Sequence, residues 1–266
     1  MTLRWPDIFF ARSKGNGEEL PPFGRAVGVV TALLFLSLVF SFAFYRLQYG
    51  WDWGAVYRYR RMFLAGWLVT LAISGASLMA SLVIGLGAAL AQRSSFLPLR
   101  YLGKLYIELI RGTPLLVQIL VFFYVVADAF GIGNRYLVGA LTLALFAGAY
   151  ISEIIRAGIE SVGESQLESA RAIGLTRRQT YRFVIYPQVM RRILPPLAGQ
   201  FASLIKDSSL LSIIAVNEFT LNAQQVNAFT YSTMESYLPL AVGYLALTLP
   251  ISLLSRYLEG RYHYAS

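Results

Sequence analysis

Few residues in this chain could do chemistry. Adjacent Lys206 and Asp207 interrupt an otherwise apolar stretch, Pro195 to Val216, that is long enough to cross a bilayer. A charge at mid-bilayer costs about 2.5–3.5 kcal/mol on insertion scales and is a functional hypothesis by default. Counting 1.5 Å per residue from Pro195 puts Lys206 about 17 Å along such a helix, near its middle. Helix neighbours do not face each other, so each charge needs its own partner. Two readings stand. Either Asp207 or Ser208 caps a new half-helix, Ser209 to Val216, whose free N–H groups attract a carboxylate; or the pair snorkels at the outer interface. A second set, Arg100, Lys104, Glu108 and Arg111, recurs at helical spacing along one face. The simplest reading is an interfacial amphipathic helix with a Lys104–Glu108 pair. A substrate-pathway role for Glu108, Arg111 and Gln118 is the sharper alternative, alongside Lys206, Asp207 and Ser209. Thr113 then reads as the N-cap, and Pro114 as the first residue, of the next helix.

Other chemistry has no material. The 266 residues hold no Cys, which excludes disulfides, thiol nucleophiles and thiolate metal sites. The one His, His263, reads as an ordinary tail residue and cannot build a metal centre, a triad or a proton relay. Apolar residues make up 56% and charged ones 14%, yet 23 Lys+Arg face 14 Asp+Glu, a net charge of +9. So little charge cannot cover a water-facing surface. A nucleic-acid binder of this basicity would carry more Lys and Arg and fewer apolar runs, so no nucleic-acid partner is expected.

The elements that must position these residues are membrane helices. Charge-free runs span Ala26–Tyr45, Met62–Gln92, Gly112–Ala127, Tyr136–Ser152 and Ser236–Ser255. With the third and fourth extended by their flanks, and with Pro195–Val216, they predict an all-α polytopic membrane protein of about six spans. Ser41 and Ala43 offer a small-x-small cleavage site after the first run. A charged segment of 25 residues before a run of full span length favours a retained anchor instead. Six spans put 17 Lys+Arg on the side of both termini and 6 on the other, which predicts cytoplasmic termini. Arg58, Arg60 and Arg61 run against this rule and read, with Tyr57 and Tyr59, as an interfacial turn. The small-residue stripe Thr70, Ser74, Ser77, Ser81, Gly85, Ala88 reads as a helix-packing face.

Residues 156–192 form the one long basic loop, with seven Lys+Arg. Ser165-x-x-Glu168 fits a capping box and predicts a helix from Gln166 to a stop at Gly174. Thr176-x-x-Gln179 predicts a second helix ending before Pro187. Two helices this short cannot make a core and need a partner surface.

Glu168-Ser169-Ala170, then Gly174, then Val184-x-Tyr186-Pro187 resembles the EAA loop of binding-protein-dependent ABC importer permeases, E-A-A-x3-G-x9-I-x-L-P. The match departs at Ser169, Val184 and Tyr186, and Ser165 stands where Gly is usual. Tyr106-x-Glu108-x-x-Arg111-Gly112-Thr113-Pro114-Leu115-Leu116-Val117-Gln118 is similar to polar amino acid permeases of the histidine/glutamine type. So are Gly148-Ala149-Tyr150-x-x-Glu153-x-x-Arg156-x-Gly158, Pro187-Gln188 and Lys206-Asp207-Ser208-Ser209-Leu210. The resemblance covers about residues 60–258.

The resemblance implies a five-helix permease core at 62–258 with its coupling loop at about 160–190. Outside it lie a cytoplasmic segment 1–25, an extra helix 26–45 and a tail 259–266. It implies a permease subunit of a polar amino acid ABC importer in the bacterial plasma (inner) membrane. Expected partners are two ATPase subunits, a second permease chain (identical or paralogous) and a periplasmic or surface-tethered binding protein. The loop residues expected to dock the ATPase are Glu164, Gln166, Glu168, Ser169, Ala170, Gly174, Arg177, Arg178 and Pro187. No G-x-x-x-x-G-K-[ST] run is present, so ATP and Mg are expected on the partner and no cofactor in this chain. A stand-alone secondary transporter or channel is the alternative; the missing internal repeat and the docking-like loop speak against it.

Overall fold

The computed structural model describes residues 22–46 and 49–263. Nearly all of segment 1–25 and the last three tail residues lie outside them, as does the His263 side chain. The chain divides after Trp51 into two units. The first holds one helix, α1 (Pro22–Arg46). Its 21-residue apolar stretch is long enough to cross a bilayer and exposes Leu33, Leu34, Phe35, Leu38 and Phe42. Apolar side chains all round a helix suit lipid rather than water.

The second unit is helical throughout among the described residues. A short helix α2 (Trp53–Arg58) precedes α3 (Arg60–Gln92), with a break at Tyr59. The Arg60 guanidinium folds back over the Tyr57 ring and donates to its carbonyl, which makes this basic cluster a turn. The chain continues through α4 (Leu97–Arg111), α5 (Leu115–Val121) with a π-helical turn to Ala127, and α6 (Arg135–Glu160).

The core is the α3–α6 pair, and the small-residue stripe builds it. Thr70, Ser74, Ser77, Ser81 and Gly85 are all buried. Ser77 Oγ donates to the Ala140 carbonyl at 3.0 Å. A Cβ on Gly85 would stand 2.7 Å from Ile151, and one on Gly148 would stand 2.8 Å from Ile84. Backbones this close need glycine on both sides. Ile73, Ile119, Leu143, Leu204 and Leu211 fill the space beside it.

Four described helices are long and apolar enough to cross a membrane: α1, α3, α6 and α11 (Thr233–His263). A fifth span results only if α4 and α5 with its π turn act together, and they meet at 110°. The six-span expectation is therefore not met by length and apolarity alone. The third charge-free run is not lengthened by its upstream flank, because the chain turns sharply at Gly112–Pro114. The sixth candidate is α9 (Tyr186–Asp207), 22 residues or about 33 Å long but carrying Arg191, Arg192, Lys206 and Asp207.

Candidate functional site

The long loop folds as a helix, a glycine turn and a second helix. The first helix, α7, spans Glu164–Ala172, with Gly163 as its N-cap. The expected capping box at Ser165 does not form. The helix starts two residues earlier, and the Ser165 carbonyl instead accepts from Ser169 Oγ at 2.8 Å. Extended backbone at Gly163 places Glu164 in the first turn, where its charge suits the helix dipole.

Gly174 ends the helix as its spacing predicts. Its φ is +79°, with Gly174 N–H bonded to the Arg171 carbonyl and Leu175 N–H to that of Ala170. This is the paired bonding of a Schellman cap. Nothing lies within 4 Å of the position a Cβ would take, so the glycine serves backbone angle and not space.

The capping box at Thr176 forms in full: Thr176 Oγ1 accepts from Gln179 N–H, and Gln179 Oε1 accepts from Thr176 N–H. The helix it opens, α8 (Arg177–Thr180), does not stop before Pro187. A π-helical turn over Tyr181–Ile185 leads straight into α9. There Tyr186 N–H reaches the Tyr181 carbonyl, five residues back, and the widened turn accommodates the proline in the first turn of α9.

Of the loop residues expected to dock, Glu164, Gln166, Glu168, Ser169, Arg177 and Arg178 are exposed, Pro187 is half-buried and Ala170 is buried. Between Ala172 and Gly174 stands Ile173, 76% exposed, with Tyr181 and Phe183 also exposed further along. Ile173 escaped the sequence reading because it lies inside the E-A-A-x3-G spacing at an unspecified position. Its signal was an aliphatic residue directly before a helix-ending glycine in a charged loop.

The pathway candidates fall into three places. Glu108 and Arg111 share a cavity of about 670 Å³ that runs along α4 between the ends of α3 and α6. Arg111 pairs with Glu153 at 3.3 Å, Glu153 with Arg156 at 2.9 Å, and Arg156 with Glu160 at 2.6 Å. No Lys104–Glu108 pair forms among the described residues; Lys104 lies over the Tyr101 ring instead.

Gln118 stands at the 110° bend. Its Nε2 donates to the Ile110 carbonyl (2.7 Å), the Thr113 carbonyl (3.0 Å) and Thr113 Oγ1 (2.9 Å). Thr113 is not the N-cap; Pro114 takes that place. The Thr113 hydroxyl is engaged by Gln118 and by the Leu109 carbonyl instead.

Lys206, Asp207 and Ser209 lie apart from both. Lys206 is exposed in the last turn of α9, about 30 Å from the first residue of that helix rather than in its middle. No new half-helix starts at Asp207 or Ser208. The chain tightens into a 3-10 helix, Ser208–Ile214, until Ala215 ends it at φ 58°. Continuous turns leave no free N–H groups there for an anion.

The broken-helix N-terminus occurs later, at α10 (Phe219–Thr230), and the chain fills it itself. Glu218, fully buried, accepts from Leu221 N–H (2.8 Å), Thr220 N–H (2.9 Å) and the Tyr244 hydroxyl (2.9 Å). Thr70 Oγ1 donates to the Glu218 carboxylate at 3.5 Å and accepts from Phe219 N–H at 3.1 Å. One carboxylate thus ties α3, α10 and α11 together. The sequence held its signal: Glu218 is the only charged residue between Asp207 and Glu235.

Residues 81–264 match the family described as binding-protein-dependent transport system inner membrane component. The chain belongs to that family. A probable glutamine ABC transporter permease protein of Bacillus subtilis (strain 168) is 36% identical over 200 residues, 75% of this chain and 93% of that one. The glutamine transport system permease protein of Escherichia coli (strain K12) is 36% identical over 212 residues, 79% and 97% of the two chains. An L-cystine transport system permease protein of Bacillus subtilis (strain 168) is 38% identical over 194 residues, 72% and 82%. Among solved structures, an amino acid ABC transporter crystallised with histidines superposes with a TM-score of 0.74 at 35% identity, covering 80% of this chain and all of that one. The MetNI methionine ABC transporter shares the fold at 16% identity, with a TM-score of 0.63. The loop with its EAA-type spacing lies inside the matched region. Membership of this permease family favours an ABC importer subunit over a stand-alone transporter.

Proposed function

We propose that this chain is the membrane-spanning permease subunit of an ABC importer for a polar amino acid. One observation carries the reading: relatives named for glutamine and cystine transport match it over most of their lengths, through the coupling loop. The loop's exposed helix–turn–helix supports docking on a separate ATPase. Glu164, Gln166, Glu168, Arg177 and Arg178 form its polar face, and Ile173 offers an apolar knob for a groove. Ser169, Ala170, Gly174 and Pro187 hold its shape.

ATP and Mg belong to two ATPase subunits, a second permease chain completes the translocation path, and a binding protein delivers the amino acid. Excess basic charge on the loop side supports cytoplasmic termini. Lys206, Asp207 and Ser209 then sit toward the outer end of α9, where they contribute to the entrance of the path. Glu108 and Arg111 lie at its inner side, and Gln118 holds the bend between them.

The test is uptake by the chain reconstituted with its ATPase and binding protein. Uptake requiring both ATP and the binding protein is expected. Uptake driven by an ion gradient with the chain alone would contradict the proposal. For the entrance, Lys206→Gln and Asp207→Asn should each lower uptake while complex assembly is unchanged. Wild-type uptake in both removes them from the path.

A further inference from the structure

The ionic cavity beside α4 has a feature that importing amino acids does not explain. Five basic and three acidic side chains line it. Arg111 and Arg156 are engaged by Glu153 and Glu160. Arg93, Arg100 and Lys104 have no carboxylate partner among the described residues, and Glu108 is the one unpaired acid near them. The charges outside those ion pairs, three basic and one acidic, make this part of the lining a positive lobe.

A shallow, open apolar groove of about 480 Å³, formed by α4 alone, runs directly alongside. Pro98, Tyr101, Leu102 and Leu105 line it, and it shares Lys104 and Glu108 with the cavity. Leu102 is 63% and Leu105 55% exposed. A cationic lobe joined to an apolar trough fits one kind of occupant: a molecule with an anionic head and a hydrocarbon tail. A soluble anion would leave the trough empty, and a neutral lipid would leave the cations unmatched. The amphipathic α4, between the ends of α3 and α6, is also where a lipid headgroup would meet the protein.

We propose that this cavity and groove bind an anionic phospholipid. The phosphodiester sits among Arg93, Arg100 and Lys104, and an acyl chain lies along Leu102 and Leu105. Under the orientation proposed above this lipid belongs to the cytoplasmic leaflet; the binding itself does not rest on that orientation.

The test uses the assembled transporter in phosphatidylcholine nanodiscs, with added phosphatidylglycerol and retained lipid measured by native mass spectrometry. Both faces of a disc are open, so the outcome is independent of orientation, which thiol labelling of the loop reads separately. Wild type should retain phosphatidylglycerol over phosphatidylcholine. The double variant R100Q/K104Q should lose about 25-fold in that preference, at roughly fivefold per basic residue. E108Q should raise retention, a gain that misfolding cannot produce. Equal retention of both lipids by wild type, or an unchanged preference in R100Q/K104Q, would overturn the proposal. So would displacement of the lipid by equimolar glycerophosphoglycerol, which shares the head and lacks the tail.

Discussion

At the scale of single residues, the loop and the buried clasp obey different physics. Gly174 is required for a backbone angle, whereas Glu218 is required for its lone pairs. Its carboxylate satisfies two helix N–H groups and the Tyr244 hydroxyl in a fully buried place. Glu218→Ala orphans these donors at about 1–3 kcal/mol each and should lower the thermal midpoint of the purified complex by several degrees. Glu218→Gln keeps one acceptor oxygen and should fall between the two. Equal midpoints for wild type and Glu218→Ala, followed by fluorescence on heating, would show that the clasp carries no stability. The sequence exposed Lys206 and Asp207 as odd charges but not the role of Glu218. A cap is legible in sequence when a strongly periodic helix starts directly after a polar residue. The Glu218 cap instead follows a left-handed residue, Ala215, that no residue type announces.

At the scale of elements, helix starts and stops were legible where the backbone is decided locally. The Thr176 capping box and the Gly174 stop both form as their spacing predicts. Ser165 does not cap, because Gly163 offers an earlier start. Pro187 does not stop its helix, because a π turn upstream absorbs it. Neither compensation is written in the spacing. The α3–α6 contact depends on glycines facing bulk. Gly85→Leu must displace Ile151 and the Gly148 backbone, a cost of about 1–3 kcal/mol or more. The expected outcome is loss of the monodisperse complex on size exclusion, with Gly75→Leu as the benign control because nothing stands near that position. The 110° bend depends on Gln118, whose Nε2 bonds gather Ile110 and Thr113. Gln118→Leu should loosen the α4–α5 angle, read as a changed spin-label distance between positions 101 and 121. An unchanged distance would show that packing alone sets the bend.

At the scale of the whole molecule, composition was enough to say membrane, and charge-free runs located the long helices α1, α3, α6 and α11. They failed where a helix is polar, as in α9, or where a run is bent, as at Gly112–Pro114. The causes differ: α9 carries its charges near its two ends, where a fixed window scores them as breaks, and the bend at Gly112–Pro114 is made by backbone turns that a charge count does not register. Orientation is open to a direct check, since the chain has no Cys. Ser165→Cys should react with a membrane-impermeant thiol reagent only from the cytoplasmic side, and Asn134→Cys only from the outside.

The central claim is that the loop turns nucleotide-driven motion in the ATPase into transport, and that Gly174 shapes it. The most direct measurement is ATP hydrolysis by the reconstituted complex, with and without liganded binding protein, in Gly174→Val and Gly174→Asn. Valine resists positive φ and asparagine tolerates it. The expected result is that Gly174→Val assembles but loses stimulation by the binding protein, while Gly174→Asn keeps most of it. Full stimulation and uptake in Gly174→Val would contradict the account.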